Sequence, residues 1–197
     1  DPVPAIFLGS SEVSVKEMVG AFSIYANKGV YNVPMMVTKI EDKYGNELAN
    51  FYPESREGIT ENTAFLMANL LQGVVDEGTG RRLRFRYGFK NQIGGKTGTT
   101  QNHSDGWFIG ITPDLAGGVW VGAEDRSIHF QNLANGQGAS MALPIWALFM
   151  QKVYADKSLA VPQGDFQKPN GVNHVLDCGD ADREGMTDYD SSDEIFD

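Results

Sequence analysis

"IGGKTGTTQN", residues 93–102, is the stretch on which the fold turns. It admits two readings, a phosphate-cradling loop or an active-site strand. A phosphate loop requires G-x-x-x-x-G-K-[ST], and five residues before Gly95 stands Lys90, not glycine. Such a loop also runs straight into a helix, whereas Lys96-Thr97 is followed by Gly-Thr-Thr-Gln-Asn, a poor helix start. The strand reading explains more. Glycine inside a strand leaves room for a second backbone, so Gly94, Gly95 and Gly98 suit an edge strand that pairs with an extended peptide. In a strand Lys96 and Thr97 point to opposite faces, and Thr97 and Thr99 to the same one. The ammonium and two hydroxyls then meet on one anion only through strand twist or a bulge. A lone Lys-Thr-Gly is a weak signal, and a solvated strand end with a surface lysine is then the better explanation. The surroundings must decide.

Downstream, residues 106–112 and 118–123 are two further strand candidates joined by "PDLAGG", and 92–100 is the first. Trp107, Ile109 and Ile111 alternate with Phe108 and Gly110, as in an antiparallel meander with a buried face. A glycine-rich loop, 127–138, leads into an apolar helix from about Ser140 to Tyr154. Upstream, "SVKEMVGAFSIYA" (14–26) places Val15, Met18, Val19, Phe22 and Ala26 on one helical stripe. Ser14 and Glu17 are spaced as a capping box, with Gly29 just past the end. Residues 34–51 read as a strand or hairpin around Tyr44-Gly45-Asn46. Thr60 opens a second helix in which Met67, Leu70, Leu71, Val74 and Val75 recur until Gly78 stops it. The class expected is α+β.

The formal charge of -10 belongs mostly to the end of the chain, where residues 177–197 hold nine Asp or Glu against Arg183 alone. The remainder carries 15 basic and 17 acidic residues, so no broad basic face exists for a nucleic acid. Arg81, Arg82, Arg84 and Arg86 form the one basic cluster, at a helix C-terminus where cations are favourable anyway. Cys178 is the only cysteine, which excludes an internal disulfide. The longest apolar run, Met141 to Met150, is far short of the roughly 20 residues of a membrane helix. The chain opens "DPVPAIFLGS" without methionine, and is expected to be a piece of something longer. Two domains of organisation are expected: 1–160 as the folded portion, and 161–197 as an acidic, partly disordered tail with little to bury.

The order "VVDEGTGRRLRF", "IGGKTGTT", "DGWFIGITPDLAGGVWVG", "NGQGASMALPIWALFM" resembles the second half of the transpeptidase domain of class A, bifunctional penicillin-binding proteins. "IFLGSSEVSVKEMVGAFSIYANKGVYNVP" is similar to the segment before it in the same family, so the resemblance covers residues 4–155 in unbroken order. The fold it implies is the penicillin-binding and serine β-lactamase-like one, an antiparallel sheet flanked by helices, incomplete here at its N-terminal side. The family carries S-x-x-K with the nucleophilic serine, S-x-N, and K-T-G. Only the third occurs: no serine here has lysine three positions on, and no S-x-N exists. Both missing motifs lie upstream in the family, so truncation is the simplest inference.

The resemblance implies roles. Lys96 belongs to the proton and charge network linking the two absent serines, and helps to draw in the substrate carboxylate. Thr97 and Thr99 hydrogen-bond that carboxylate, the D-alanine end of a peptidoglycan stem peptide or its mimic in a β-lactam. Thr99 also gives its backbone N–H to an oxyanion hole, and Gly98 lets the acyl donor lie along the strand. The activity implied is D,D-transpeptidation through an acyl-serine, without metal or other cofactor. The partners implied are stem peptides ending in D-Ala-D-Ala, β-lactams, the rest of the transpeptidase domain and an upstream glycosyltransferase domain. The implied location is the outer face of the bacterial cytoplasmic membrane. Gly106 stands where the family is expected to have alanine. A serine β-lactamase-related hydrolase and a non-catalytic peptidoglycan-binding module are the rival readings.

Other features have plainer explanations. Asp180-x-Asp182-x-Glu184-Gly185 resembles the start of a calcium loop, but Ser191 occupies the place of the closing glutamate. His103, His129 and His174 lack metal-ligand spacing. His103 lies near the expected site and reads as a loop histidine. Trp107, Trp120 and Trp146 read as core residues in preference to a sugar-stacking set.

Overall fold

The computed structural model describes Pro4 and residues 11–172. The acidic calcium-loop-like stretch, His174 and Cys178 lie outside the described residues. In chain order the elements are α1 (Val15–Ala26), β1 (Val30–Asn32), β2 (Lys39–Glu41), β3 (Glu47–Asn50), β4 (Ser55–Glu57), α2 (Glu61–Asp76) and α3 (Arg82–Phe85). They continue with β5 (Gly94–Thr99), β6 (Asp105–Ile111), β7 (Ala116–Gly122), α4 (Leu133–Gly136) and α5 (Gly138–Ala155).

The capping box at α1 forms as its spacing predicts. Glu17 N–H donates to Ser14 Oγ at 3.2 Å, and Ser14 N–H donates to Glu17 Oε2 at 2.8 Å. Thr60 caps α2 by accepting Thr63 N–H. The buried stripe of α2, however, is Ala64, Ala68, Leu71 and Val75, while Leu70 is 64% exposed. Of the expected stripe, Leu71 and Val75 are buried, and alanines complete the inner face because β5 comes close: a Cβ on Gly94 would lie 3.0 Å from Leu71 Cβ and 3.3 Å from Ala68 O. Small residues face the sheet so that the helix can approach it.

Strands β5, β6 and β7 form the expected antiparallel meander, in that order. Thr97 lies opposite Phe108, Gly98 opposite Trp107, and Trp107 opposite Trp120. Both faces of this sheet are covered, where the alternation suggested one. Phe108 and Gly110 face α5, with Phe108 and Trp146 rings edge to face at 5.4 Å. Ile109 and Ile111 are buried on the other face, where Val15 and Val19 of α1 sit over Gly118. Trp146 is a core residue whose Nε1–H donates to Gly117 O at 3.1 Å. Trp120 departs from the core expectation, being 42% exposed beside Trp107.

The 34–51 hairpin is present as β2 and β3, its turn held by the Asp42 carboxylate, which accepts the Tyr44 and Asn46 N–H groups. The pairing of β1 with β4 is additional. Residues 161–172 are without helix or strand but reach the core at two points. Phe166 joins Ala68, Leu71 and Ile111 in a buried cluster, its N–H donating to Gln92 Oε1, and Val172 is buried.

Candidate active site

β5 is an edge strand: among the described residues no strand pairs with it on the side away from β6. The ladder fixes which backbone groups face that open edge. Antiparallel residues alternate between those bonded to the neighbour and those turned away. Thr100 N–H reaches Asp105 O at the end of the ladder, so Gly98 and Lys96 bond to β6. Thr97 and Thr99 therefore turn their N–H and C=O groups outward. Lys96 Nζ folds over this edge and donates to Thr97 O at 2.8 Å.

The register of β5 on β6 is continuous, so no bulge brings the lysine and the hydroxyls together. Lys96 lies on one face of the strand and reaches the edge at Thr97 O, while Thr97 and Thr99 lie on the other face. Thr97 Oγ1 lies 2.7 Å from Thr79 Oγ1, which comes from the turn between α2 and α3. Thr99 Oγ1 accepts the N–H of Gly138, the first residue of α5, at 3.1 Å. Lys96 and Thr99 are exposed and Thr97 is half-buried. The result is a ledge whose ammonium, two hydroxyls and two outward N–H groups are donors available to an anion, beside the outward carbonyls of Thr97 and Thr99.

The glycines of β5 also serve the internal packing. Gly94 makes room for α2, Gly95 for the Phe108 ring at 2.9 Å, and Gly98 for Trp107 Cβ at 3.0 Å, so the molecule's own packing fills those spaces. Gly138 is tighter still, since a Cβ there would collide with the carbonyl oxygens of Gly98 and Trp107. Gly106 belongs to the same approach: a Cβ on it would come within 3.0 Å of Gly138 Cα.

His103 packs against the 130–136 segment. It and Asn102 have φ values of 57° and 59°, its carbonyl accepts Phe130 N–H, and its Cβ lies against Gly136. His129 is exposed, with Nδ1 3.0 Å from its neighbour's carbonyl, Phe130 O. Among the described residues no three His, Cys, Asp or Glu side chains gather as metal ligands. Two of the clustered arginines act as internal struts. Arg82 Nη1 donates to Ala139 O and Ser140 Oγ, and Arg84 binds Asp76 and the carbonyls of Phe89 and Asn91. A cavity of about 290 Å³ lined by Tyr25, Lys28, Glu61, Phe65, Asp165 and Phe166 is separate from the ledge.

Residues 7–138 match the family described as penicillin binding protein transpeptidase domain. The chain belongs to this transpeptidase family. It is 32% identical over 168 residues to penicillin-binding protein 1A of Aquifex aeolicus, covering 85% of this chain and 22% of that protein. Over 180 residues it is 31% identical to penicillin-binding protein 2D of Bacillus subtilis, covering 88% of this chain and 24% of that one. The chain thus spans about a quarter or less of the length of these curated relatives. Among solved structures, penicillin-binding protein 1A from Haemophilus influenzae superposes with a TM-score of 0.74 at 24% identity, covering 85% of this chain and 30% of that chain. PonA1 from Mycobacterium tuberculosis, solved in complex with penicillin V, gives 0.70 at 24% identity, covering 85% and 44%. The α+β fold is that of the family's transpeptidase domains.

Thr79 and Gly138 carry no local signal of a role, and Arg82 reads from sequence only as a cation at a helix C-terminus. The block "EGTGRR" was visible as part of the resemblance, but nothing in its spacing indicates that its threonine reaches β5.

Proposed function

We propose that this chain forms the β5 wall of a penicillin-sensitive D,D-transpeptidase site, with the nucleophilic serine supplied by residues upstream in a longer protein. The observation that carries the reading is the open β5 edge, where Thr97 and Thr99 turn backbone N–H groups outward and Lys96 Nζ lies over Thr97 O. Membership in the transpeptidase family supports this reading.

In this reading Thr97 and Thr99 hold the terminal carboxylate of a D-Ala-D-Ala stem peptide, or the carboxylate of a β-lactam. Lys96 adds positive charge and takes part in proton transfer to and from the serine. The outward N–H of Thr99 meets the oxyanion that grows as serine attacks the penultimate D-alanine carbonyl. A donor placed for that charge contributes about 3 kcal/mol to the transition state. Collapse of the tetrahedral species breaks the amide and releases D-alanine as the amine, leaving a serine ester. An amine from a second stem peptide then attacks the ester, forms the cross-linking amide and regenerates the serine hydroxyl.

Residues 1–160 are the transpeptidase portion, and 161–197 follow it, with Phe166 docking back on α2. The substrate implies work on the outer side of the cytoplasmic membrane. An upstream glycosyltransferase domain is the partner expected in the same protein.

The test is the intact mass of the full-length protein containing this sequence after incubation with benzylpenicillin. One penicillin mass should be gained per chain, and Lys96→Ala should slow the gain by a factor on the order of 100. A folded protein that gains no mass would favour a non-catalytic binding role.

A further inference from the structure

We propose that Thr79 is a positioning residue for carboxylate recognition. It donates its hydroxyl proton to Thr97 Oγ1, and so leaves Thr97's own proton directed at the open edge of β5. This rests on the function proposed above and adds a residue to it.

The contact is short, 2.7 Å between hydroxyl oxygens, and joins two separate elements. The turn carrying Thr79 is anchored independently of Thr97. Gly78 N–H donates to Gly73 O at 3.1 Å, Gly80 N–H to Val74 O at 2.9 Å, and Arg81 N–H to Gly78 O at 3.2 Å. Arg82, next along, grips the first turn of α5 through Ala139 O at 2.9 Å and Ser140 Oγ at 2.8 Å. Thr79 is therefore presented to β5 by a fixed support.

The direction of the hydrogen bond follows from the chemistry of the ledge. A hydroxyl has one proton and two acceptor sites. Were Thr97 to give its proton to Thr79, it would face a substrate carboxylate with lone pairs, oxygen against oxygen. If Thr79 gives its proton instead, Thr97 is free to donate, and the exposed Thr79 oxygen can accept from water. Thr99 is polarised in the same sense without ambiguity: Gly138 N–H can only donate, so Thr99 Oγ1 accepts and its proton is free. The Lys96 ammonium on Thr97 O favours an anion at the same edge. Thr79 and Gly138 thus perform matching tasks, each filling a threonine's acceptor site from behind so that the proton points forward.

A merely structural threonine would fasten the turn and affect every ligand alike. The polarising one affects only ligands that bring a carboxylate. The experiment compares acylation rates of the full-length protein by a fluorescent penicillin and by its carboxylate methyl ester, for the unsubstituted protein, Thr79→Val and Thr79→Ser. Thr79→Val should slow acylation by the free acid about tenfold, as expected for one lost hydrogen bond to a charged partner, and leave the ester rate within about twofold. Thr79→Ser should restore the free-acid rate, and melting temperatures should agree within a few degrees across the series, about what an altered surface hydroxyl allows. Equal slowing of both ligands, no slowing, or failure of serine to restore the rate overturns the proposal and leaves the proposed function standing. Absence of acylation in the unsubstituted protein overturns both.

Discussion

Gly138 N–H donates to Thr99 Oγ1 at 3.1 Å, which fastens the first turn of α5 to the last residue of β5. Helix and strand meet here at backbone distance, with the Gly98 and Trp107 carbonyls lying where a side chain on residue 138 would start. The contact links packing to the site, because the same approach that closes the core also presents the Thr99 hydroxyl.

Gly138→Ala should therefore lower both stability and activity. Overpacking of this kind costs about 1–3 kcal/mol, visible as a lower urea midpoint with an unchanged slope. Acylation of the full-length protein should slow as the Thr99 tether lengthens. A variant with unchanged midpoint and rate would show that α5 can retreat freely.

Asp76 and Arg84 form an ion pair at 2.7 Å, but the two partners should not be equivalent. Asp76→Ala removes a partly exposed pair, worth up to about 1 kcal/mol and less in high salt. Arg84→Ala also strips donors from Phe89 O and Asn91 O, and should cost about 2–3 kcal/mol with little salt dependence. Urea titrations at two ionic strengths check the difference; equal losses would count against the strut role of Arg84.

The Ser14 backbone N–H, then the Ser14 hydroxyl, hold the Glu17 carboxyl below its ordinary range, with Lys16 adding a smaller push in the same direction. Because the folded state binds this proton more weakly than the unfolded one, its contribution is present above the ordinary glutamate value. It is lost as pH falls through the lowered one. Glu17→Gln keeps a side chain able to complete the capping box but removes the titration. Its stability should fall less steeply than that of the unsubstituted chain over roughly pH 5 to 3. Asp42, Asp125 and Asp156 shift in the same direction, so the slope should shrink without vanishing.

These contacts also mark how far one dimension of sequence reaches. The α1 cap was legible because Ser14 and Glu17 are three residues apart and meet within one helical turn. The meander was legible because Trp107 to Ile111 and the "PDLAGG" turn are local signals. Thr79 and Thr97 are 18 residues apart on different elements, and no periodicity relates them. On α2 the spacing located Leu71 and Val75 on the inner face but not Ala64 and Ala68, because the closeness of Gly94 is a tertiary fact. Three-residue strands such as β1 and β4 are too short to show alternation, and Phe166 is a single apolar residue in a polar stretch.

Ile145, Leu148 and Phe149 make an exposed apolar face on α5, with relative exposures of 50%, 54% and 60%. By itself in solution this chain should self-associate through such surfaces. Sedimentation velocity over a range of concentrations should show species heavier than the monomer, reduced by Phe149→Lys. A monomer with a sharp, concentration-independent unfolding transition would contradict this.

The most direct test of the account is product analysis of the full-length protein given a stem peptide ending in D-Ala-D-Ala and an amine-bearing acceptor peptide. Mass spectrometry should find one D-alanine released for each new cross-linking amide, with both products suppressed by benzylpenicillin and by Thr99→Val. Release of D-alanine with only hydrolysed donor would indicate a hydrolase, and a folded protein yielding neither product would contradict acyl transfer altogether.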